Sequence, residues 1–384
     1  MKRILAIITL AVALPLSLAA QHHIAHRCGF SNFVYKAAIE KKATVAFLGG
    51  SITEMKGWRD MMKESLTKQY PDTQFNFIEA GIASLGSTPH AFRFEQDVLS
   101  HGTPDLLFVE AAVNDHTNGF GPREQVCGME GIVRHALKAN PFMDIMMLHF
   151  IYDPFIPESD AGRIPDVVLN HERVANRYGI TSIDLVSEIA ERMRAGEFTW
   201  EQFGGTHPAP LGHSYYTAAI NDALAATSVP AASYRLKPHD MPEEPIEKFN
   251  YENGHFQSIE TAVRLKGFSI DPSWEPVIKS GLRPGFHGVP MLTSDKGGSS
   301  FEVSFTGSAI GLCMVAGPDA AALQYRVDKG EWKVLDPYTE WSGGLYIPWV
   351  YMLEDDLEYG AHTLQLRTAK DGRGGCHIRN FAIN

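Results

Sequence analysis

The chain has 384 residues, room for two domains of about 100–200 residues each, and its 44% hydrophobic and 21% charged side chains exclude a chain disordered throughout. A formal charge of −11 gives no electrostatic footprint for nucleic acid and disfavours polyanions, so neutral or weakly charged ligands suit the protein better. Four cysteines, Cys28, Cys127, Cys313 and Cys376, include no CxxC pair, which removes the sequence basis for a zinc or thioredoxin-like centre.

Met1-Lys2-Arg3 followed by an apolar run from Ile4 to Ala20, ending in small residues before Gln21, has the layout of a cleaved secretory leader over residues 1–20. A membrane anchor is the alternative, but the run sits at the lower edge of the roughly 17–25 residues that span a bilayer. No cysteine lies close enough behind it for lipidation, and no second apolar run of spanning length exists. The expectation is an exported, periplasmic or secreted protein with no membrane span after the leader is removed. Loss of Lys2 and Arg3 moves the formal charge from −11 to −13. Export permits disulfides among the four cysteines in three pairings, with free buried thiols as the alternative.

From about residue 43 to 226, short apolar runs alternate with helix-like segments. The strand candidates are Thr44–Leu48, Gln74–Glu79, Leu106–Val113, Asp144–Tyr152 and Ile180–Leu185. Helical spacing or composition marks Gly57–Gln69, Pro89–Leu99, Glu124–Ala139, Val167–Tyr178 and a closing helix at Tyr215–Ala226. This alternation implies a parallel sheet covered on both faces, with ligand sites at the carboxyl ends of its strands. A proline-rich stretch at 229–248 reads as a linker or wrapping segment between this region, 21–228, and the remainder, 249–384. The remainder holds short alternating runs (Ser300–Phe305, Ile310–Val315, Leu323–Val327, Leu345–Met352, His362–Arg367, Ile378–Ile383), the pattern of an all-β sandwich.

Three segments carry chemistry. The first strand runs into Gly49-Gly50-Ser51-Ile52-Thr53, which can present the Ser51 hydroxyl and N–H at a helix start, where the dipole favours an oxyanion; alone, Gly-Gly-Ser is more often a plain turn. The third strand leads into Ala112-Val113-Asn114-Asp115, where Asn114 can donate its amide to an oxyanion or merely form an Asx-turn. The segment from Gly204 to His213 (GGTHPAPLGH) places His207 in a rigid turn, suited to a general base that takes a serine proton. A metal pair of His207 and His213 lacks a third ligand, so no metal is expected.

Together, in order and spacing, these segments resemble the SGNH/GDSL hydrolase family. The G-[DG]-S-[IL]-T block is similar to Gly49–Thr53, G-x-N-D to Ala112–Asp115 and H-P-x-x-x-G-H to His207–His213. The resemblance covers about 43–226 and implies a flavodoxin-like three-layer α/β/α fold, ester hydrolysis through an acyl-enzyme, and no cofactor. By position it makes Ser51 the nucleophile and His207 its base, with the Ser51 N–H and Asn114 amide holding the oxyanion. A further oxyanion N–H falls at Ser84, with Gly86 as the alternative. Gly50 stands where the family often has Asp, and Ala112 where it has Gly. The triad acid expected three residues before the His falls on Gly204, leaving a Ser–His dyad steered by a backbone carbonyl or a carboxylate from elsewhere, such as Glu201.

The C-terminal region resembles the jelly-roll-like sandwich modules of bacterial carbohydrate esterases. Its Trp341, Trp349, Tyr338 and Tyr346 stack on sugar rings in that reading, or pack the sandwich in the blander one. The function implied is a secreted serine esterase acting on O-acetylated carbohydrate, its partner a small-molecule or polysaccharide ester. The alternatives are a lipase or lysophospholipase and a glycan-binding protein that has lost activity with its acid.

Overall fold

The computed structural model describes residues 23–227 and 235–384. The expected leader, residues 1–20, and the start of the expected linker lie outside the described residues. Two all-but-parallel and antiparallel halves follow one another along the chain.

The first half is built on six strands: β1 (Ile24–Ala25), β2 (Lys42–Gly49), β3 (Gln74–Gly81), β4 (Leu106–Val109), β5 (Asp144–His149) and β6 (Thr181–Asp184), in the order β1-β6-β5-β4-β2-β3. Strands β2 to β6 are parallel, and only the two-residue edge strand β1 is antiparallel. Counted from β2, the parallel strands run 2-1-3-4-5, the flavodoxin-like order, whose ligand crevice lies at the reversal between the first and third strands. That crevice is here between the ends of β2 and β4.

Strands β4 and β5 are buried along their whole length, as a parallel sheet covered on both faces requires. On one face Phe47, Phe108, Trp58, Phe150 and Tyr216 pack ring against ring. On the other, Leu48, Leu107 and Val109 meet Met129 and Ile132 of the helix Pro122–Ala139. This second cluster continues through Tyr251 into Trp274, Met291, Cys313, Tyr346 and Val350 of the C-terminal half, so one apolar core runs through both halves.

The C-terminal half is a sandwich of two antiparallel sheets. One holds Ile347–Glu354, Ile310–Ala316, Cys376–Ile383, Val289–Ser294 and Ser269–Trp274, with His255–Gln257 beside Cys376–Ile383. The other holds Lys333–Leu335, Leu323–Val327, Gly360–Thr368, Ser300–Gly307 and Val263–Lys266. Between them lie Phe301, Val303, Leu312, Met314, Leu364, Ile378 and Phe381. The described part of the expected linker wraps the first half: Arg134 donates to the carbonyl of Pro242, and the Glu130 carboxylate accepts from the N–H groups of Ile246 and Glu247.

All four cysteines are free thiols, with Cys28 exposed and the other three buried. Among the described residues no helix is long and apolar enough to cross a membrane.

Candidate active site

Strand β2 ends at Gly49, and Ser51 opens a one-turn helix, Ser51–Glu54, at its carboxyl end. The two glycines before it are sterically enforced. A Cβ on Gly49 would lie 2.4 Å from Glu110 Oε1, and one on Gly50 would lie 2.0 Å from Asn114 Oδ1. Gly50 therefore stands at a position that admits no side chain while Asn114 keeps its place.

The apolar run Leu106–Val113 does not remain a strand throughout. It leaves the sheet after Val109, and Ala112–Thr117 forms a short helix that carries Asn114. Its neighbour Asp115 is fully buried and anchors this helix from below. Asp115 accepts from the Ser87 N–H and hydroxyl at 2.7 and 2.6 Å and pairs with His171 at 2.9 Å.

His207 arrives from the loop before the helix Pro210–Ala225, and its Nε2 lies 2.9 Å from Ser51 Oγ. The pair lines a cavity of about 440 Å³ open to solvent. Ser84, Asn114, Asn118, Tyr152 and Thr206 line it from the first half, and Arg283, Trp341, Leu345 and Ile347 line it from the sandwich. Among the described residues neither the Ser51 N–H nor the Ser84 N–H has a protein acceptor, and the Asn114 amide nitrogen has none either. Three donors without a protein acceptor thus belong to residues that line one cavity, Ser51, Ser84 and Asn114. Gly86 does not line the cavity; it precedes the helix Ser87–Asp97 and packs on Asp115.

The carboxylate three residues before His207 is excluded by the loop itself. Gly204 has φ +107°, and a Cβ there would fall 1.9 Å from the Ala209 nitrogen. Glu201 is fully exposed and is held below the usual carboxylate range by its own backbone N–H and the Thr199 hydroxyl; it makes no hydrogen bond to His207. Sequence reasoning missed Asp153, just past β5. Its carboxylate accepts from the Thr206 hydroxyl at 2.6 Å and the Trp200 indole at 2.8 Å, and these bonds, Thr206 first, hold it ionised. Asp153 thereby ties Thr206, next to His207, to Trp200 at the start of the preceding helix. His213 is buried, its ring covering Gly57, and burial lowers its pKa.

Glu110, also missed, lies directly beneath the nucleophile turn. It accepts from the Gly50 N–H at 2.6 Å and from the Thr53 hydroxyl at 3.0 Å. Burial raises its pKa to about 7, against the pull of those two bonds. The folded protein therefore binds a proton there that the unfolded chain releases at about 4.5, so the contribution to stability is full below that pH and is lost as pH rises through about 7. Glu110→Gln is expected to remove on the order of 3 kcal/mol of this pH dependence, read as the difference between denaturation profiles of the two proteins from about pH 4 to about pH 8. Parallel profiles would refute the assignment.

Of the four sandwich aromatics singled out, Trp349 and Tyr346 are buried while Trp341 and Tyr338 are about 40% exposed. Trp341 lines the cavity; Tyr338 is covered by the Arg373 guanidinium at 4.0 Å. The described side chains close enough together to hold a cation are Asp295, Asp319 and His377, none of which lines the cavity.

Residues 47–215 match the model of the GDSL-like lipase/acylhydrolase family. The chain is also similar in structure to a two-domain esterase active on acetylated mannans. With that enzyme co-crystallised with mannopentaose the TM-score is 0.75 at 21% identity, covering 95% of this chain and 97% of the other. Without the oligosaccharide the values are 0.76 and 22%, covering 95% and 98%. These similarities show a shared fold over both halves. No curated protein sequence matches the chain.

Proposed function

We propose that the chain, whose residues 47–215 match the model of the GDSL-like lipase/acylhydrolase family, is an exported esterase that removes O-acetyl groups from a glycan through an acyl-enzyme. The observation that carries this reading is the 2.9 Å contact between Ser51 Oγ and His207 Nε2, in a cavity that Ser84 and Asn114 also line.

In this mechanism His207 takes the Ser51 proton as Oγ attacks the acetyl carbonyl carbon. The C=O bond becomes C–O⁻, held by the N–H groups of Ser51 and Ser84 and the Asn114 amide. Collapse restores the carbonyl and breaks the bond to the sugar oxygen, which leaves with the proton from His207. Water, deprotonated by the same imidazole, then attacks the acetyl carbon; collapse breaks its bond to Ser51 Oγ, which takes the proton back from His207, and acetate is released. The imidazole needs a fixed ring, and the Asp153 clamp on Thr206 and Trp200 fixes the loop that bears it.

The substrate class rests on three supports. The cavity opens between the two halves, where Trp341 offers an exposed ring to a sugar face. Among the described lining residues Arg283 alone is permanently charged and its Nε is engaged by the Ser84 hydroxyl, while the protein as a whole is acidic, so a neutral ester fits better than an anionic polymer. The fold likeness also extends over both halves of an esterase of acetylated mannans. Acetate release is the test, measured on acetylated mannan, acetylated xylan and long-chain aryl esters. Turnover of at least one acetylated glycan well above the long-chain esters is expected; preference for the long-chain esters would replace this reading with a lipase.

A further inference from the structure

The backbone that supplies the second peptide donor is held from outside its own half of the molecule. Ser84 has φ +74°, a left-handed conformation that glycine adopts freely and a residue with a Cβ does not. A serine in this conformation must be kept there by its surroundings.

Four contacts do so. The Ser84 carbonyl accepts from the Asn118 amide at 3.1 Å and from the Trp349 indole N–H at 3.2 Å. Its hydroxyl oxygen accepts from Arg283 Nε at 3.1 Å. The next residue, Leu85, is buried in a cluster with Ala316, Ala320, Ile347 and Trp349. All but Asn118 belong to the sandwich. Arg283 is itself anchored: the Gly281 N–H donates to the Gly344 carbonyl at 3.0 Å, the Tyr346 N–H to the Gly281 carbonyl at 2.9 Å, and Phe286 behind it is buried. Holding the carbonyl and the side-chain oxygen fixes two substituents of the Ser84 Cα and so places its nitrogen, while the Ala83 N–H bonded to Glu54 holds the peptide on the other side.

We infer that the sandwich sets the oxyanion hole, with Arg283 and Trp349 as positioning residues that hold the Ser84 N–H toward Ser51 in place of a glycine's freedom. The inference rests on the reading above that this N–H serves the oxyanion. It makes the second domain necessary for chemistry even on a substrate too small to bind as a glycan.

The test measures kcat and KM of the full chain on p-nitrophenyl acetate for Trp349→Phe, which keeps the ring and loses the N–H, and for Arg283→Gln, each alone and with Ser84→Gly. Loss of a whole oxyanion donor costs about 10²–10³ in kcat, so a donor merely released from its hold is expected to cost about tenfold, with KM within about twofold. With Ser84→Gly present there is no hydroxyl for Arg283 to hold, and Arg283→Gln should then cost nothing further. Unchanged kcat in both single variants, a loss confined to KM, or an Arg283→Gln effect that persists in full beside Ser84→Gly would overturn the inference. Should Trp349→Phe fail to fold, the Arg283→Gln pair carries the decision. If the wild type turns over no acetyl ester, the esterase reading fails and this inference falls with it; if the wild type is active and the variants match it, this inference alone fails.

Discussion

Ser51→Ala is expected to lower kcat on p-nitrophenyl acetate by at least about 10⁴-fold with thermal stability unchanged. Ser51 is half-buried at the start of a one-turn helix, and its hydroxyl makes one protein hydrogen bond, to His207. Removing the oxygen therefore leaves the packing in place and takes away the group proposed to carry the acetyl. His207→Ala should do nearly as much damage, because a serine hydroxyl at neutral pH is a poor nucleophile until its proton is accepted. The double variant should be scarcely worse than either single one, as residues that act as a unit are grossly non-additive. A Ser51→Ala protein that keeps a tenth of the wild-type rate would remove the serine from the mechanism. Fully additive losses would separate the two residues.

The three residues that meet at the cavity, Ser51, Asn114 and His207, could be singled out because each sits in a short block whose spacing reflects local geometry. Ser51 follows a β-strand through two glycines, Asn114 follows the third apolar run, and His207 precedes a helix started by proline. The α/β alternation was legible for the same reason: buried parallel strands read as continuous apolar runs. The third run was read too long as strand, because an apolar stretch does not distinguish a buried strand from a buried helix turn. In the sandwich, Val263–Lys266 was missed although Val-Arg-Leu-Lys alternates, because four residues are too short a run to mark a strand, and Lys333–Leu335 because three residues carry no period.

What holds the site together was less legible. Glu110 left one trace, a carboxylate inside the run Leu106–Val113, where burial without partners would be costly. Gly204 was read as a missing acid, whereas the turn from Phe203 to Ala209 leaves no room for any side chain there. Asp153 and Arg283 left no trace: each meets its partner only through the fold, Asp153 across 53 residues to Thr206 and Arg283 across 199 to Ser84. Side chains that clamp a catalytic loop from a distant segment are fixed by tertiary geometry, and no local pattern encodes them.

Asn114→Ala is expected to cost about 10²–10³ in kcat on p-nitrophenyl acetate with little change in KM. Its amide oxygen faces the Gly50 Cα, where a Cβ would come within 2.0 Å of it. The amide nitrogen is thereby left on the other side of the group, without a protein acceptor, in a residue that lines the cavity beside Ser51. A donor held ready in this way interacts weakly with a neutral ester carbonyl and strongly with the alkoxide that replaces it, so its loss falls on the transition state. Asn114→Asp should be worse than Asn114→Ala, since a carboxylate of the same shape puts negative charge where negative charge develops. Gly50→Ala supplies an independent check, because its added methyl must displace the Asn114 amide without altering it chemically, and it should reproduce most of the same kcat loss. Rates for Asn114→Ala and Asn114→Asp that are equal and within about threefold of wild type would leave the two backbone N–H groups as the entire oxyanion hole.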